Sequence, residues 1–249
     1  MATDFFLVVP AYRESIRLPP YLRELVAVLS PASFKTEILI VDDGSPPDES
    51  KKLLQSLTTG TFGSCQVAPP LLLPANQGKG HAILHGWGAE REAAWFGFLD
   101  ADGAIPSREV LRLLDLALSI RAPQPPCLWA SRIRLLGRKI DRTLTRHLLG
   151  RMFATLVSKS INLPVYDTQC GFKLVPQVCY KKIAPLLEEP RFCFDIELLL
   201  AARHVGAEVL EIPIDWCDVP GGQVHPIRDG IAMLTRLPAI LERTKKWPS

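Results

Sequence analysis

Along the first 130 residues, short apolar runs alternate with segments of helical periodicity. Phe5–Pro10 is a continuous apolar run ended by proline, the pattern of a strand buried on both faces. Behind Pro19 and Pro20, Tyr21–Leu29 sets Leu22, Leu25, Val26 and Leu29 on one helical face. Thr36–Val41 repeats the strand pattern and stops at Asp42-Asp43-Gly44-Ser45-Pro46. Lys51–Leu57 reads as helix, Leu71–Leu73 as a weak strand among prolines, and Ala82–Glu92 as helix. Trp95–Leu99 is a fourth strand, followed by a helix over Val110–Leu118 with Ser107 as its N-cap and Glu109 close behind. This alternation predicts an α/β fold: a Rossmann-like, mostly parallel sheet flanked by helices.

Past the proline-rich stretch Arg121–Pro126, Leu128–Ser131 reads as a strand and Thr143–Asn162 as a long helix ending before Pro164. Cys193–His204 is a further helix, Val209–Ile214 a strand, and Asp229–Glu242 an amphipathic helix interrupted by Pro238. There is no internal repeat and no long polar linker, so residues 1–249 are expected to form a single domain.

Composition narrows the function classes. With 47% hydrophobic residues and a net charge of +3 over 249 residues, the chain is neither disordered nor a broadly basic nucleic-acid binder. No apolar run approaches the ~18 residues of a membrane span, and Met1–Phe6 lacks a basic secretory n-region. A cytoplasmic protein, in solution or peripheral to the membrane, is expected. The six cysteines show no C-x-x-C spacing and read as buried free thiols. Charge is uneven: Arg132 to Lys159 holds eight Lys or Arg against one acid, Asp141. Arg138, Arg142 and Arg146 are spaced by four, beside an apolar stripe of Leu148, Leu149, Phe153, Leu156, Val157 and Ile161. That combination suits a solvated basic face, or contact with lipid phosphate or pyrophosphate at a membrane surface.

Candidate chemistry sits where strands end. Ligands of parallel α/β sheets bind outside the carboxyl ends of the strands. Three such ends are polar: Pro10-Ala11-Tyr12-Arg13-Glu14, Asp42-Asp43-Gly44-Ser45 and Asp100-Ala101-Asp102-Gly103. Each could be a turn or helix cap alone; three in register point to a ligand. Asp100 and Asp102 share one side of an extended backbone, as a hard divalent cation bound through two carboxylates and substrate phosphates would need. Asn76-Gln77-Gly78-Lys79-Gly80 adds a hinge of two glycines and a phosphate-sized cation, although such a turn before a helix needs no ligand. Neither a P-loop nor a G-x-G-x-x-G fingerprint is present, which disfavours ATPases and dinucleotide oxidoreductases. A sugar-1-phosphate nucleotidyltransferase is disfavoured as well, because no G-G-x-G-T-R-L loop follows Phe5–Val9.

The order V-V-P-A-Y-R-E, V-D-D-G-S, N-x-G-K-G, D-A-D-G-A, D-T-Q-C-G-F-K and F-D-I-E-L-L resembles glycosyltransferase family 2. Within that family it is most similar to the polyprenyl-phosphate sugar synthases, in particular the dolichyl-phosphate β-glucosyltransferase branch. The likeness runs from about Phe6 to Asp229; Tyr166–Leu174 and Phe194–Leu199 are its more specific parts. It implies a GT-A fold in which residues 1–130 bind a UDP- or GDP-sugar with Mg2+ or Mn2+ and residues 131–249 bind the acceptor. Pro10, Tyr12 and Glu14 with Asp42 would hold base and ribose. Lys79 and Asp100 would lie near the nucleotide sugar, and Asp102, with Asp100, would take the metal. Arg132, Arg142 and Arg146 would face the pyrophosphate or the lipid phosphate, with Asp195 and Glu197 on the acceptor side.

Three departures from the family pattern matter. Gly103-Ala104 stands where mannosyl relatives carry Leu-Gln, which favours the glucosyl branch and leaves the metal short of one side-chain ligand. The membrane segment with which glucosyl relatives usually begin is not seen. Gly222-Gln223 replaces a Ser-Lys pair, leaving His225 or Arg228 as substitutes for a phosphate-binding lysine, or His225 as an ordinary loop histidine. The expected reaction is inverting transfer of a hexose, glucose from UDP-glucose being favoured, to polyprenyl or dolichyl phosphate. An alcohol acceptor would need a general base, for which Asp195 is the candidate. Transfer to a soluble sugar or protein, or nucleotide-sugar binding without catalysis, are the rival readings.

Overall fold

The structure, a computed structural model, describes residues 3–89, 91–133, 135–141, 154–160, 165–222 and 226–248. Strand β1 (Thr3–Ala11) is central because Phe5 to Val9 present apolar side chains to both faces, each at most 1% exposed. The chain continues through α1 (Leu18–Leu29), β2 (Thr36–Asp42), α2 (Pro47–Ser56), β3 (Gly60–Phe62), β4 (Cys65–Val67) and β5 (Leu71–Leu72). Next come α3 (Lys79–Trp87), β6 (Ala93–Leu99), α4 (Ser107–Ser119), β7 (Cys127–Ser131), β8 (Ile140–Asp141) and helical residues 154–160, labelled α5. The remainder is β9 (Phe172–Pro176), α6 (Gln177–Ile183), α7 (Phe194–His204), β10 (Val209–Pro213), β11 (Trp216–Cys217) and α8 (Pro226–Thr244).

Among the described residues, one nine-stranded sheet runs β10-β7-β9-β6-β1-β2-β4-β3, with β5 also on β2; β8 and β11 form a separate parallel pair. β6, β1, β2, β4 and β5 are parallel, as are β7 and β10, while β9 runs antiparallel between β6 and β7. Strands from both sides of residue 130 therefore share one sheet. α1 and α4 cover one face through Leu22, Leu25, Leu29, Val110, Leu113 and Leu114. α3, α6, α7 and α8 cover the other through Ile83, Trp87, Ile183, Phe194, Leu198 and Ile240. Each fully buried Leu, Val, Ile or Phe in these layers contributes roughly 1.5–3 kcal/mol relative to exposure.

Several boundaries differ from expectation for local reasons. α2 starts at Pro47, not Lys51, because extended Pro46 precedes a proline suited to the first helical position. α3 starts at Lys79 and stops at Trp87, whose indole N–H donates to Gly97 O at 3.0 Å and whose carbonyl accepts from Tyr180. Pro106, not Ser107, occupies the N-cap of α4, and the buried Ser107 hydroxyl has no partner. Pro238 lies within a continuous α8 rather than interrupting it. β9 and α6 were not anticipated. Of the helix expected over Thr143–Asn162, residues 154–160 are helical; Arg142 and Arg146, like Gln223 and His225, lie outside the described residues. The cysteines are free thiols, five buried and Cys217 exposed.

Candidate active site

The site is assembled at the carboxyl ends of β1, β2 and β6. Ala11 pairs with Asp42 and Val8 with Phe98, so the residues following each strand emerge at one edge of the sheet. Two loops there are tied together: Arg13 N–H donates to Ser45 Oγ at 2.8 Å, and Asp43 N–H donates to Ala11 O at 2.8 Å. Arg13 adopts a left-handed φ of 56° and lies over the Tyr12 ring. Gly44, at φ 66°, packs so closely that a β-carbon would fall 2.3 Å from the Ala75 backbone.

The paired aspartates of V-D-D-G-S play different parts. Asp42 is 1% exposed and accepts from Ser45 N–H at 3.2 Å and from the Ser50 hydroxyl. Its carboxylate is thus engaged inside the fold. Asp43 accepts from Asn76 Nδ2 at 2.8 Å, Gln77 N–H at 3.2 Å and Gly78 N–H at 2.7 Å, and faces His81 Nδ1 at 3.4 Å. Burial raises its pKa against those hydrogen bonds. Asp43 is the residue that shapes the N-x-G-K-G loop and delivers Lys79 at the first position of α3.

Lys79 Nζ lies 2.9 Å from Asp100 Oδ1 and 3.4 Å from Asp195 Oδ2, and 4.8 Å from the centre of the Phe98 ring. Burial alone would lower its pKa; the two carboxylates outweigh that and raise it. Asp100 N–H donates to Gly171 O at 2.8 Å, and a β-carbon on Gly171 would fall 1.8 Å from Asp100 Oδ2. The glycine of D-T-Q-C-G-F-K is therefore the space that Asp100 occupies. Asp102 accepts from Ala104 N–H at 3.1 Å, and its pKa is raised by burial and then by the charge of Asp100. Glu14, 8% exposed, pairs with Arg17; burial raises its pKa against that pairing, and Asp100 and Asp102 push it further.

The opposite wall comes from β9 and α7. Lys173, fully buried in mid-strand, donates to Cys170 O at 2.8 Å and pairs with Asp195 Oδ1 in the first turn of α7. Asp195 Oδ2 is buried and faces Lys79 without a directed hydrogen bond. A chain of alternating charge, Lys173–Asp195–Lys79–Asp100, thus crosses the site. Glu197 turns away from it: its carboxylate accepts from Glu188 and Glu189 N–H at 2.8 and 2.7 Å and pairs with Arg243 of α8. Arg132 clasps Asp167 through Nε and Nη2, each at 2.7 Å, over the Trp216 ring. Against the effect of burial, that clasp pulls the Asp167 pKa down to about 2 and raises that of Arg132. Pro10 and Tyr12, both partly exposed, lie at the end of β1 on the same edge.

Of the expected site residues, Glu14, Lys79, Asp100, Asp102 and Asp195 come together electrostatically, and Arg132 lies within reach of the Asp100 charge. Arg17 and Lys173 were missed. A lone lysine in the apolar flank F-K-L-V of a short strand was the available clue to the second. The donor set fits a hard cation only in part. Asp100 and Asp102 supply two carboxylates held close in a partly buried setting, and the described residues contain no cluster of three or more ligating side chains.

Residues 6–172 match the model of glycosyl transferase family 2. The chain is 30% identical over 234 residues to a dolichyl-phosphate beta-glucosyltransferase of Dictyostelium discoideum, covering 91% of this chain and 70% of that protein. It is 34% identical over 253 residues to one from Trichomonas vaginalis, covering 97% and 74%, and 31% identical over 236 residues to the human one, covering 91% and 71%. Glucosyl-3-phosphoglycerate synthase of Mycobacterium tuberculosis in complex with uridine diphosphate shares the fold, with a TM-score of 0.67 at 16% identity over 99% of this chain and 82% of that one. With its strand-end motifs gathered at one edge of an α/β sheet and its sequence matched over most of its length, the chain belongs to glycosyl transferase family 2.

Proposed function

We propose that this protein transfers glucose from UDP-glucose to a dolichyl or related polyprenyl phosphate, working peripherally at the cytoplasmic face of a membrane. The observation that carries the reading is the convergence of Lys79, Asp100, Asp102 and Asp195 at the sheet edge, in a chain similar to proteins named dolichyl-phosphate beta-glucosyltransferase. No helix among the described residues is long and apolar enough to cross a membrane.

Asp102 and Asp100 would hold Mg2+ or Mn2+, which when bound neutralises the diphosphate leaving group as a Lewis acid. Lys79 adds a fixed positive charge beside the same carboxylates. Asp195 Oδ2, paired with Lys79 at 3.4 Å and making no hydrogen bond of its own, would accept from a hydroxyl of the sugar or acceptor once substrate draws Lys79 aside, and Lys173 holds the other oxygen. Pro10, Tyr12 and Glu14 would hold base and ribose, and Asp42 supports the neighbouring loop from within through Ser45 and Ser50. Arg132 fixes the acceptor-side loop through Asp167, and Arg142 and Arg146 are assigned to the lipid phosphate on sequence grounds. A phosphate acceptor is already ionised near neutral pH, with a second pKa of about 6, so displacement at the anomeric carbon needs no general base.

Incubation with radiolabelled UDP-glucose, Mn2+ and a polyprenyl phosphate, followed by organic extraction, tests the reading. Label is expected in the organic phase, and Asp102→Asn should remove it while leaving the thermal transition in place. Label that stays on a soluble sugar or protein would redirect the assignment to a water-soluble acceptor. UDP-glucose binding without transfer to any acceptor would leave a sensor.

A further inference from the structure

Within the candidate site, one charged donor lacks an acceptor. Arg17, at the N-cap of α1, directs Nε to Glu14 Oε2 at 2.9 Å and Nη2 to Glu14 Oε1. Its Nη1 is shielded from solvent and has no hydrogen-bond partner among the described residues. A buried charged donor left unsatisfied is costlier than a neutral one and calls for a ligand. The other cations of the cluster are engaged: Lys79 with Asp100 and Asp195, Lys173 with Asp195, Arg132 with Asp167.

The surroundings define what would satisfy it. Arg17 acts on the Asp102 carboxyl electrostatically, and Glu14 feels both Asp100 and Asp102, so the guanidinium borders the carboxylate pair without bonding to it. Gly222 lies close by, where a β-carbon would sit 3.7 Å from Nη1. A fixed cationic N–H beside two acids that would hold a divalent cation matches a phosphoryl oxygen, which carries charge and fits guanidinium geometry. We infer that Arg17 Nη1 donates to a phosphoryl oxygen of the nucleotide donor's diphosphate, with Glu14 as the positioning residue that aims the guanidinium. This rests on the nucleotide-sugar reading above.

Calorimetric titration of wild type, Arg17→Gln, Glu14→Gln and the double variant Glu14→Gln/Arg17→Gln with UDP, UMP and uridine tests it, with Mn2+ and again with EDTA. Arg17→Gln is expected to weaken UDP about ten- to a hundredfold and leave uridine within twofold, in both buffers. Glu14→Gln, which keeps an acceptor for Arg17, should retain most of the UDP-over-uridine preference. The double variant removes both buried charges and so reports even where the single variant folds poorly; it should show the same loss for UDP. Unchanged UDP affinity in a folded Arg17 variant overturns the inference, as does equal loss of UDP and uridine, the result of a purely structural ion pair. Parallel titration with a short polyprenyl phosphate separates the two phosphate sources: loss there with UDP unaffected moves the contact to the acceptor and overturns the donor assignment. Wild type that binds none of UDP, UMP and uridine removes the UDP-sugar reading itself, and this inference with it.

Discussion

Gly171 shows how a residue without functional atoms shapes the site. Its missing side chain is the volume that Asp100 fills, so Gly171→Ala must push Asp100 away from Lys79 or shift the β9 entry loop. Overpacking of this kind costs about 1–3 kcal/mol. The variant is expected to remain folded, with a lower melting temperature and UDP-glucose turnover reduced at least tenfold; turnover at the wild-type rate would show that Asp100 is free to move. The Arg132–Asp167 clasp predicts a pH response. Asp167 has its folded pKa depressed from 3.8 to about 2, so its contribution is fully present above pH 3.8 and is lost as pH falls towards 2. Integrated, that is about 2 kcal/mol. Acid titration of stability should show this loss in wild type and not in Asp167→Asn, whose stability at pH 7 should already be lower by a similar amount. The carboxylates at strand ends were legible from sequence because acids directly after buried apolar runs need a partner. The division of labour between Asp42 and Asp43 was not, since two adjacent identical residues differ only in which way the folded backbone turns them.

At the scale of elements, β9 is the informative case. Its five residues carry a lysine at the second position and begin after a glycine, so neither length nor alternation marked a strand. Lys173 is tolerated there because Asp195, Cys170 O and the Phe98 and Trp129 rings surround its ammonium. Lys173→Met would leave the buried Asp195 charge to Lys79 alone and should cost up to about 3–5 kcal/mol, while Lys173→Met combined with Asp195→Asn should cost less than the sum of the two single changes. Denaturant unfolding of the four proteins measures this, and strict additivity would show that the pair is not coupled. α8 is the second case: Pro238 sits inside a helix whose Leu237 and Ile240 are buried against the sheet-covering layer. Sequence propensity alone argued for a break, because proline removes a backbone donor and costs about 3 kcal/mol in a helix interior. Burial on both sides of it holds the helix together. Pro238→Ala is expected to raise stability by up to about 3 kcal/mol, read as an upward shift in the denaturation midpoint; a downward shift would mean the proline-bent path is what packs Leu237 and Ile240.

For the whole molecule, the sheet joins β7, β9 and β10 to the five parallel strands β6, β1, β2, β4 and β5, so the wall bearing Asp195 and Lys173 is tied to the one bearing Lys79 and Asp100. Ligand binding at that junction should therefore stabilise the fold as one unit. UDP-glucose with Mn2+ at a hundredfold excess over its dissociation constant is expected to add ~2.7 kcal/mol, seen as a higher melting temperature that Asp102→Asn no longer shows. An unshifted melting curve across a panel of nucleotide sugars would count against the donor site. Sequence by itself determined the α/β class, the strand-end positions of the acids and the family, because continuous apolar runs, helical periodicity, turn residues and the order of motifs are properties of the chain itself. Tertiary structure alone decided that Lys79 bridges Asp100 and Asp195, that Gly171 makes room for Asp100, that Glu197 serves α8 rather than the site, and that Arg17 keeps one donor open. Those facts depend on residues far apart in the chain and on which neighbours consume each hydrogen bond, and only the closed fold specifies them.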